Sequence, residues 1–377
     1  MTAAIGLLLT AAPSVGAALP AVANSDDTLF AQQWNLAQIG AAEAWATSTG
    51  SGITIGVVDS GIDADHPDLA GKIVAQADCV GRPCREGSAP DGDGHGTSVA
   101  GVAAASTNNG TGIAGVAPDA RLVVARVIDD EGVGRTEDIN SGIRWVVDHG
   151  ARIVSLSLGD PAAIFSRSAN TLESGIQYAW SRGAIPVLAA GNYNNGVLGT
   201  VSAGYGNLNA VVVGATDRTG AVSFYSSPLG NAKWGIVAPG GNSKGTGEDI
   251  LSTDPGGTYS WHAGTSLAVP HVSGALALLL AQGLGQQAAV DRLLVTLDPS
   301  PCGAGCRGRL KVDAAVAAGA APAAGPTTTA SPDGQAAAPT DGADGGSGAA
   351  IPIAIGVGLA VLLAAAGAGL AARGRRR

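Results

Sequence analysis

Positive charge is scarce in this chain. Of its 377 residues, 21 are Lys or Arg against 30 Asp and Glu, a net charge of −9, and no Lys or Arg precedes Lys72. With no basic stripe to displace counterions from a phosphate backbone, nucleic acid is excluded as a partner. Charged residues amount to 14% and hydrophobic ones to 46%, which leaves ample material for a buried core. Cysteine is also rare, with four in two close pairs: Cys79 with Cys84, and Cys302 with Cys306. Neither pair has the two-residue spacing of a zinc knuckle, and no nearby histidine completes one. Two short-loop disulfides formed in an oxidising compartment are expected instead.

The two ends differ from the middle. Residues 1–23 are almost wholly apolar or small, and Ala21-Val22-Ala23 has the small-x-small form of a signal-peptidase site. The usual basic n-region is missing, but Pro13 and Pro20 argue against a core helix, so a signal peptide is expected. Residues 317–350 are dominated by Ala, Gly, Pro, Thr, Ser and Asp and hold no large apolar side chain. Such a stretch cannot bury enough surface to offset its chain entropy and reads as a flexible stalk. An uncharged run follows at residues 351–372, long enough to cross a bilayer of about 30 Å at about 1.5 Å per residue. Arg373, Arg375, Arg376 and Arg377 close the chain as a basic tail, residues 373–377. Under the positive-inside rule that tail stays in the cytoplasm. The expectation is a single-pass protein of the cell membrane with residues 24–316 outside.

Within residues 24–316, short β-branched runs alternate with Ala-rich segments of helical length. Strands are expected at 53–58, 121–127, 153–158, 185–189 and 210–213. Helices are expected at 97–105, 136–149, 171–182 and 266–281, several opening with Ser or Thr. The alternation predicts one α/β domain, a parallel central sheet with helices on both faces. Reactive groups in such folds gather at the carboxyl ends of strands, and Asp59 and Asn192 fall just there.

Three motifs carry chemistry. Val57-Val58-Asp59-Ser60-Gly61 ends an apolar strand in a carboxylate; Asp93-Gly94-His95-Gly96-Thr97 sets a histidine between glycines before a helix; Gly264-Thr265-Ser266-Leu267-Ala268 opens a buried helix with a serine. A serine hydroxyl needs a base within reach to take its proton, and the near-neutral pKa of imidazole suits His95 to that task. Asp59 would fix the imidazole tautomer and stabilise the imidazolium. The chain order Asp, His, Ser differs from that of chymotrypsin-like chains and of α/β-hydrolases. An esterase reading also fails at Ala268, where a nucleophile elbow needs a second glycine.

These motifs, in this order, resemble those of the subtilisin-like serine proteases, the subtilases, over roughly residues 33–316. The resemblance implies a serine endopeptidase that acts on extended peptides through an acyl-enzyme on Ser266. It implies that Asn192, in Ala189-Ala190-Gly191-Asn192, donates its amide to the oxyanion beside the Ser266 N–H. Ser157, Leu158 and Gly159 would pair with substrate backbone, with Gly132 and Gly134 as the opposite wall, a β-augmentation mode. His66 and His271 correspond to structural positions, and His149 and His262 have no motif context. No cofactor is implied for catalysis. A structural Ca²⁺ is implied at Asp68 and Asn109, with Gln32 or Gln33 as a loose further match. A monomer is expected. The stalk, terminal span and basic tail also resemble those of mycosins, membrane-anchored subtilases that process secretion-system components, although the cysteine mycosins often place beside the histidine is missing. The rival of another class, a catalytically silent surface-binding domain, would have lost a triad or oxyanion residue.

Overall fold

The computed structural model describes residues 25–81, 83–158, 170–192 and 206–318. The expected signal peptide, Gly159, the stalk beyond Ala318, the terminal run and the basic tail lie outside the described residues. The strands are β1 (Thr54–Asp59), β2 (Ile73–Asp78), β3 (Arg85–Glu86), β4 (Arg121–Arg126), β5 (Ile153–Leu156), β6 (Ile185–Ala189), β7 (Val211–Thr216), β8 (Trp234–Pro239), β9 (Ile250–Asp254), β10 (Thr258–His262) and β11 (Cys306–Arg309). The helices are α1 (Trp34–Ile39), α2 (Ala41–Trp45), α3 (His95–Ala104), α4 (Thr136–Asp148), α5 (Asn170–Ser181), α6 (Thr265–Ala281), α7 (Gln286–Val295) and α8 (Val312–Ala317).

Nine strands form one sheet in the order β11-β8-β7-β6-β5-β1-β4-β2-β3, and β9 and β10 form a separate hairpin. Every neighbouring pair in the large sheet is parallel except β2 with β3. The β-branched runs form strands because both faces are buried and alternate side chains go to opposite cores. Ile55 and Val57 of β1, Leu122 and Val124 of β4, and Ile153 of β5 enter the core built with α3 and α6. Val58, Val123, Ala125 and Val154 enter the core built with α4 and α5. Helices therefore cover both faces. Gly56 lets α4 approach closely, since a Cβ there would lie 2.8 Å from a Val146 methyl.

From β4 the chain crosses over β1 to reach β5, so β1 lies at the switch point of the sheet. The crevice outside the carboxyl end of β1 is where such sheets place ligands, and Asp59 is the last residue of β1. Helix α6 is buried at every position from Thr265 to Leu280 and packs against the central strands. Among the described residues no single helix is long and apolar enough to cross a membrane. Helix α8 runs to Ala317 and packs onto α2 and α6.

Candidate active site

Asp59 is fully buried, and its Oδ1 accepts hydrogen bonds from His95 Nδ1–H at 2.7 Å and from the Ser60 N–H at 2.8 Å. A carboxylate can only accept, so the His95 proton resides on Nδ1 and the neutral ring keeps its free electron pair on Nε2. Burial pushes the His95 pKa down, but the Asp59 charge and hydrogen bond, with Asp93 and Asp91 nearby, outweigh it and hold the pKa up at about 9. Of the other four histidines, His66, His262 and His271 direct Nε2 at the Thr258 carbonyl, Asp254 and Asn35, and His149 Nε2 lies 3.9 Å from Glu86.

Ser266 is the second residue of α6, where the first-turn N–H groups have no intrahelical acceptor and the helix dipole is positive. Gly264 precedes it without a side chain, and the empty space has a specific surround. A Cβ placed there would lie 2.8 Å from Ser266 Oγ, 3.3 Å from Asn192 Nδ2 and 3.6 Å from Ser266 N. One hydroxyl and two N–H donors thus converge on a single small volume. The Asn192 amide is fixed in orientation, because its Oδ1 accepts from Thr265 N–H at 2.8 Å and from Thr265 Oγ1–H at 2.9 Å. Its Nδ2 is left to face the space beside Gly264.

Pro270 stands four residues after Ser266 and has no N–H to offer the Ser266 carbonyl. Ser157 supplies the missing donor, its Oγ–H reaching Ser266 O at 2.8 Å. The side chain of Ser157 is therefore a brace for the α6 entrance. Leu158 is likewise buried, packed in the α4–α5 core. Gly132 and Gly134 lie in a tight turn closed by Gly132 N–H to Asp129 O at 3.0 Å and by an antiparallel bridge between Ile128 and Gly134.

His271 is a core residue. Its Nδ1–H donates to Leu267 O at 2.7 Å and its Nε2 accepts from Asn35 Nδ2 at 2.8 Å. Burial pushes its pKa down to about 4, with the Leu267 bond acting in the opposite direction.

The structure brings Asp68 and Asn109 together, but not as a set of oxygen ligands. Asp68 Oδ1 accepts from Asn109 Nδ2–H and Oδ2 from Ile113 N–H, each at 2.9 Å. The amide oxygen of Asn109 instead accepts from Thr111 N–H at 3.1 Å. Gln33 spends both ends of its amide on the backbone of Ala114, at 2.8 Å each. A Ca²⁺ ion needs converging oxygens, and here each Asp68 oxygen accepts one N–H while the Asn109 amide oxygen is turned to Thr111. The disulfides form as expected, Cys79–Cys84 across the β2–β3 turn and Cys302–Cys306 just before and at the start of β11.

Thr265, Ser60 and Asp91 are the residues that sequence reasoning passed over. Their work is to bind backbone N–H groups and to orient another side chain.

Residues 50–297 match the model of the subtilase family, peptidase S8. Thermitase of Thermoactinomyces vulgaris is 39% identical over 259 residues, covering 69% of this chain and 86% of thermitase. Subtilisin Savinase of Lederbergia lenta is 41% identical over 248 residues, covering 65% of this chain and 83% of that protein. A solved protease from Pseudoalteromonas arctica PAMC 21717 superposes with a TM-score of 0.68 at 30% identity, covering 78% of this chain and 99% of its own. The mostly parallel sheet with helices on both faces is the subtilisin-like α/β fold. The chain belongs to the subtilase family and is a serine endopeptidase.

Proposed function

We propose that Ser266, His95 and Asp59 are the catalytic triad and that peptide-bond hydrolysis runs through an acyl-enzyme on Ser266. The observation that carries this reading is the convergence beside Gly264 of Ser266 Oγ with Asn192 Nδ2 and Ser266 N. A scissile carbonyl placed there meets a nucleophile and two oxyanion donors at once. His95 Nε2 takes the Ser266 proton as the oxygen attacks, and Asp59 holds the resulting imidazolium. The proton then passes to the leaving amine, and water repeats the cycle to free the acyl group. The free site holds His95 at a pKa of about 9. The base form therefore becomes more populated as pH rises, and the rate is expected to rise with it.

The substrate is an extended peptide, held between the main chain after β5 and the Gly132–Gly134 turn. No cofactor takes part in the reaction. The enzyme works at the outer face of the cell membrane as a single-pass monomer, anchored through residues 351–372, with residues 1–23 as its export signal. The apolar run and the arginines after it support that placement. A mycosin-like role in processing secretion-system components is the narrower reading, favoured by the stalk, span and basic tail.

Fluorophosphonate labelling tests the assignment. The wild-type enzyme is expected to be labelled and to cleave a peptide substrate, and Ser266→Ala to do neither while retaining its fold. Labelling of the alanine variant at the wild-type rate would overturn it.

A further inference from the structure

The turn that delivers His95 is held by a carboxylate the triad does not include. Asp91 Oδ1 accepts from Ser60 Oγ–H and from Gly94 N–H, each at 2.8 Å. Its Oδ2 accepts from Thr97 N–H at 2.7 Å and from Thr97 Oγ1–H at 2.5 Å. The two hydroxyls pass the connection on. Ser60 Oγ accepts the Gly96 N–H at 2.9 Å and Thr97 Oγ1 accepts the Asp63 N–H at 3.0 Å. Each hydroxyl thus donates to Asp91 and accepts one backbone N–H, so every hydrogen is accounted for.

Four donors fill the lone-pair sites of the ionised carboxylate. They come from residues on either side of His95 and from the immediate neighbour of Asp59. The negative charge stands at the N-terminus of α3, where the helix dipole favours it.

We propose that Asp91 is a positioning residue for peptide-bond hydrolysis, locking the turn of residues 94–97 to the end of β1 through Ser60 so that His95 meets Asp59 in register. The inference rests on His95 being the catalytic base. β1 and α3 are separate elements, and the 2.7 Å contact between Asp59 and His95 survives only if both are fixed to a fraction of an ångström. A misplacement of about 1 Å costs on the order of 10²-fold in rate. Asp91 also adds its charge to those of Asp59 and Asp93 around the imidazole. Asp254 approaches from the β9–β10 hairpin, its Oδ1 lying 4.0 Å from where a Gly94 Cβ would stand.

Asp91→Asn and Ser60→Ala in the full-length protein separate positioning from charge. Asn keeps the size of Asp91 but turns an NH₂ group toward donors. In both variants kcat with a peptide substrate is expected to fall by about 10- to 10²-fold while KM stays within about twofold. The midpoint of kcat/KM against pH should move to lower pH in Asp91→Asn and stay near the wild-type value in Ser60→Ala, where the Asp91 charge remains. A lowered melting midpoint with wild-type kcat and pH profile in the soluble variants would mean a purely structural carboxylate and overturn the proposal. If Asp91→Asn does not fold, Ser60→Ala decides alone, and an unchanged kcat overturns the inference. Ser266→Ala is run alongside: labelling that persists in it removes the triad itself, whereas wild-type kinetics in both variants with labelling still dependent on Ser266 removes only the role of Asp91.

Discussion

Thr265 holds Asn192 by both of its donors: the amide oxygen of Asn192 accepts the Thr265 N–H at 2.8 Å and the hydroxyl at 2.9 Å. The hydroxyl oxygen in turn accepts the Gly191 N–H at 3.1 Å. The residue before Ser266 thereby decides which end of the Asn192 amide faces the space beside Gly264.

Removing the Asn192 side chain with Ala is expected to lower kcat by about 10²–10³-fold with little change in KM, the range found for such a donor in related serine proteases. Thr265→Val, which keeps the backbone donor, should cost less, about tenfold. The two changes act on one interaction, so the double variant should be no slower than Asn192→Ala by more than about twofold. Steady-state kinetics of the four proteins checks this, and full additivity would mean that Thr265 acts elsewhere.

The pH dependence has two signs. The folded pKa of His95, about 9, lies above its ordinary 6.5. The stability it contributes is therefore fully present below pH 6.5 and is lost as pH rises through 9. His271 is the reverse, with a folded value of about 4, so its contribution is present above pH 6.5 and is lost as pH falls toward 4. These two groups together place greatest stability near pH 6.5, while kcat/KM keeps rising to a plateau above about pH 9. Thermal melts and initial rates across pH 4–11 would show the two maxima apart. Coinciding maxima would mean that His95 is not the group being titrated.

Ser157→Ala leaves the Ser266 carbonyl without a donor, because Pro270 has none to give. An unpaired buried carbonyl costs about 1–3 kcal/mol, so the melting midpoint should drop by several degrees. Ser157→Ala combined with Pro270→Ala restores a helical N–H and should recover part of the loss.

Chelation probes the Asp68 cluster. Since the Asn109 amide turns its NH₂ rather than its oxygen toward Asp68, melting midpoints in excess chelator and in excess Ca²⁺ are expected to agree. A ligand bound only to the native state would raise the midpoint by mass action, and a rise with Ca²⁺ would show that the Asn109 amide turns its oxygen inward.

Ending the chain after Ala349 is expected to release active enzyme into the medium, while the full-length protein stays with membranes. Fractionation followed by a peptidase assay distinguishes the cases. A truncated protein still bound to membranes would make the N-terminal segment the anchor.

Much of the fold was legible because β1 and β4 to β7 are β-branched runs buried on both faces, and such runs stand out in any sequence. β2 escaped because Ile73–Asp78 mixes apolar and polar residues along a half-exposed strand. Strand β11, Cys306–Arg309, has no hydrophobic pattern at all. It is defined by its pairing with β8, and pairing between distant segments leaves no local mark. The expected strand at 153–158 stops at Leu156, since Ser157 leaves the ladder to reach Ser266. The candidate triad and Asn192 were legible for a chemical reason: each sits in a short stretch whose glycines and flanking hydrophobics mark an element end. Asp91, Ser60 and Thr265 were not, because binding a neighbour's N–H is something Asp, Ser and Thr do in any turn, and only coordinates reveal whose N–H it is.

Helix α6 lies buried against β1, β5, β6, β7 and β8, and the serine it carries comes late in the chain. Asp59 and His95 are made long before it. A chain that stops short of this helix keeps Asp59 and His95 but lacks Ser266, so under the proposed triad an active enzyme requires α6 to be seated against the sheet.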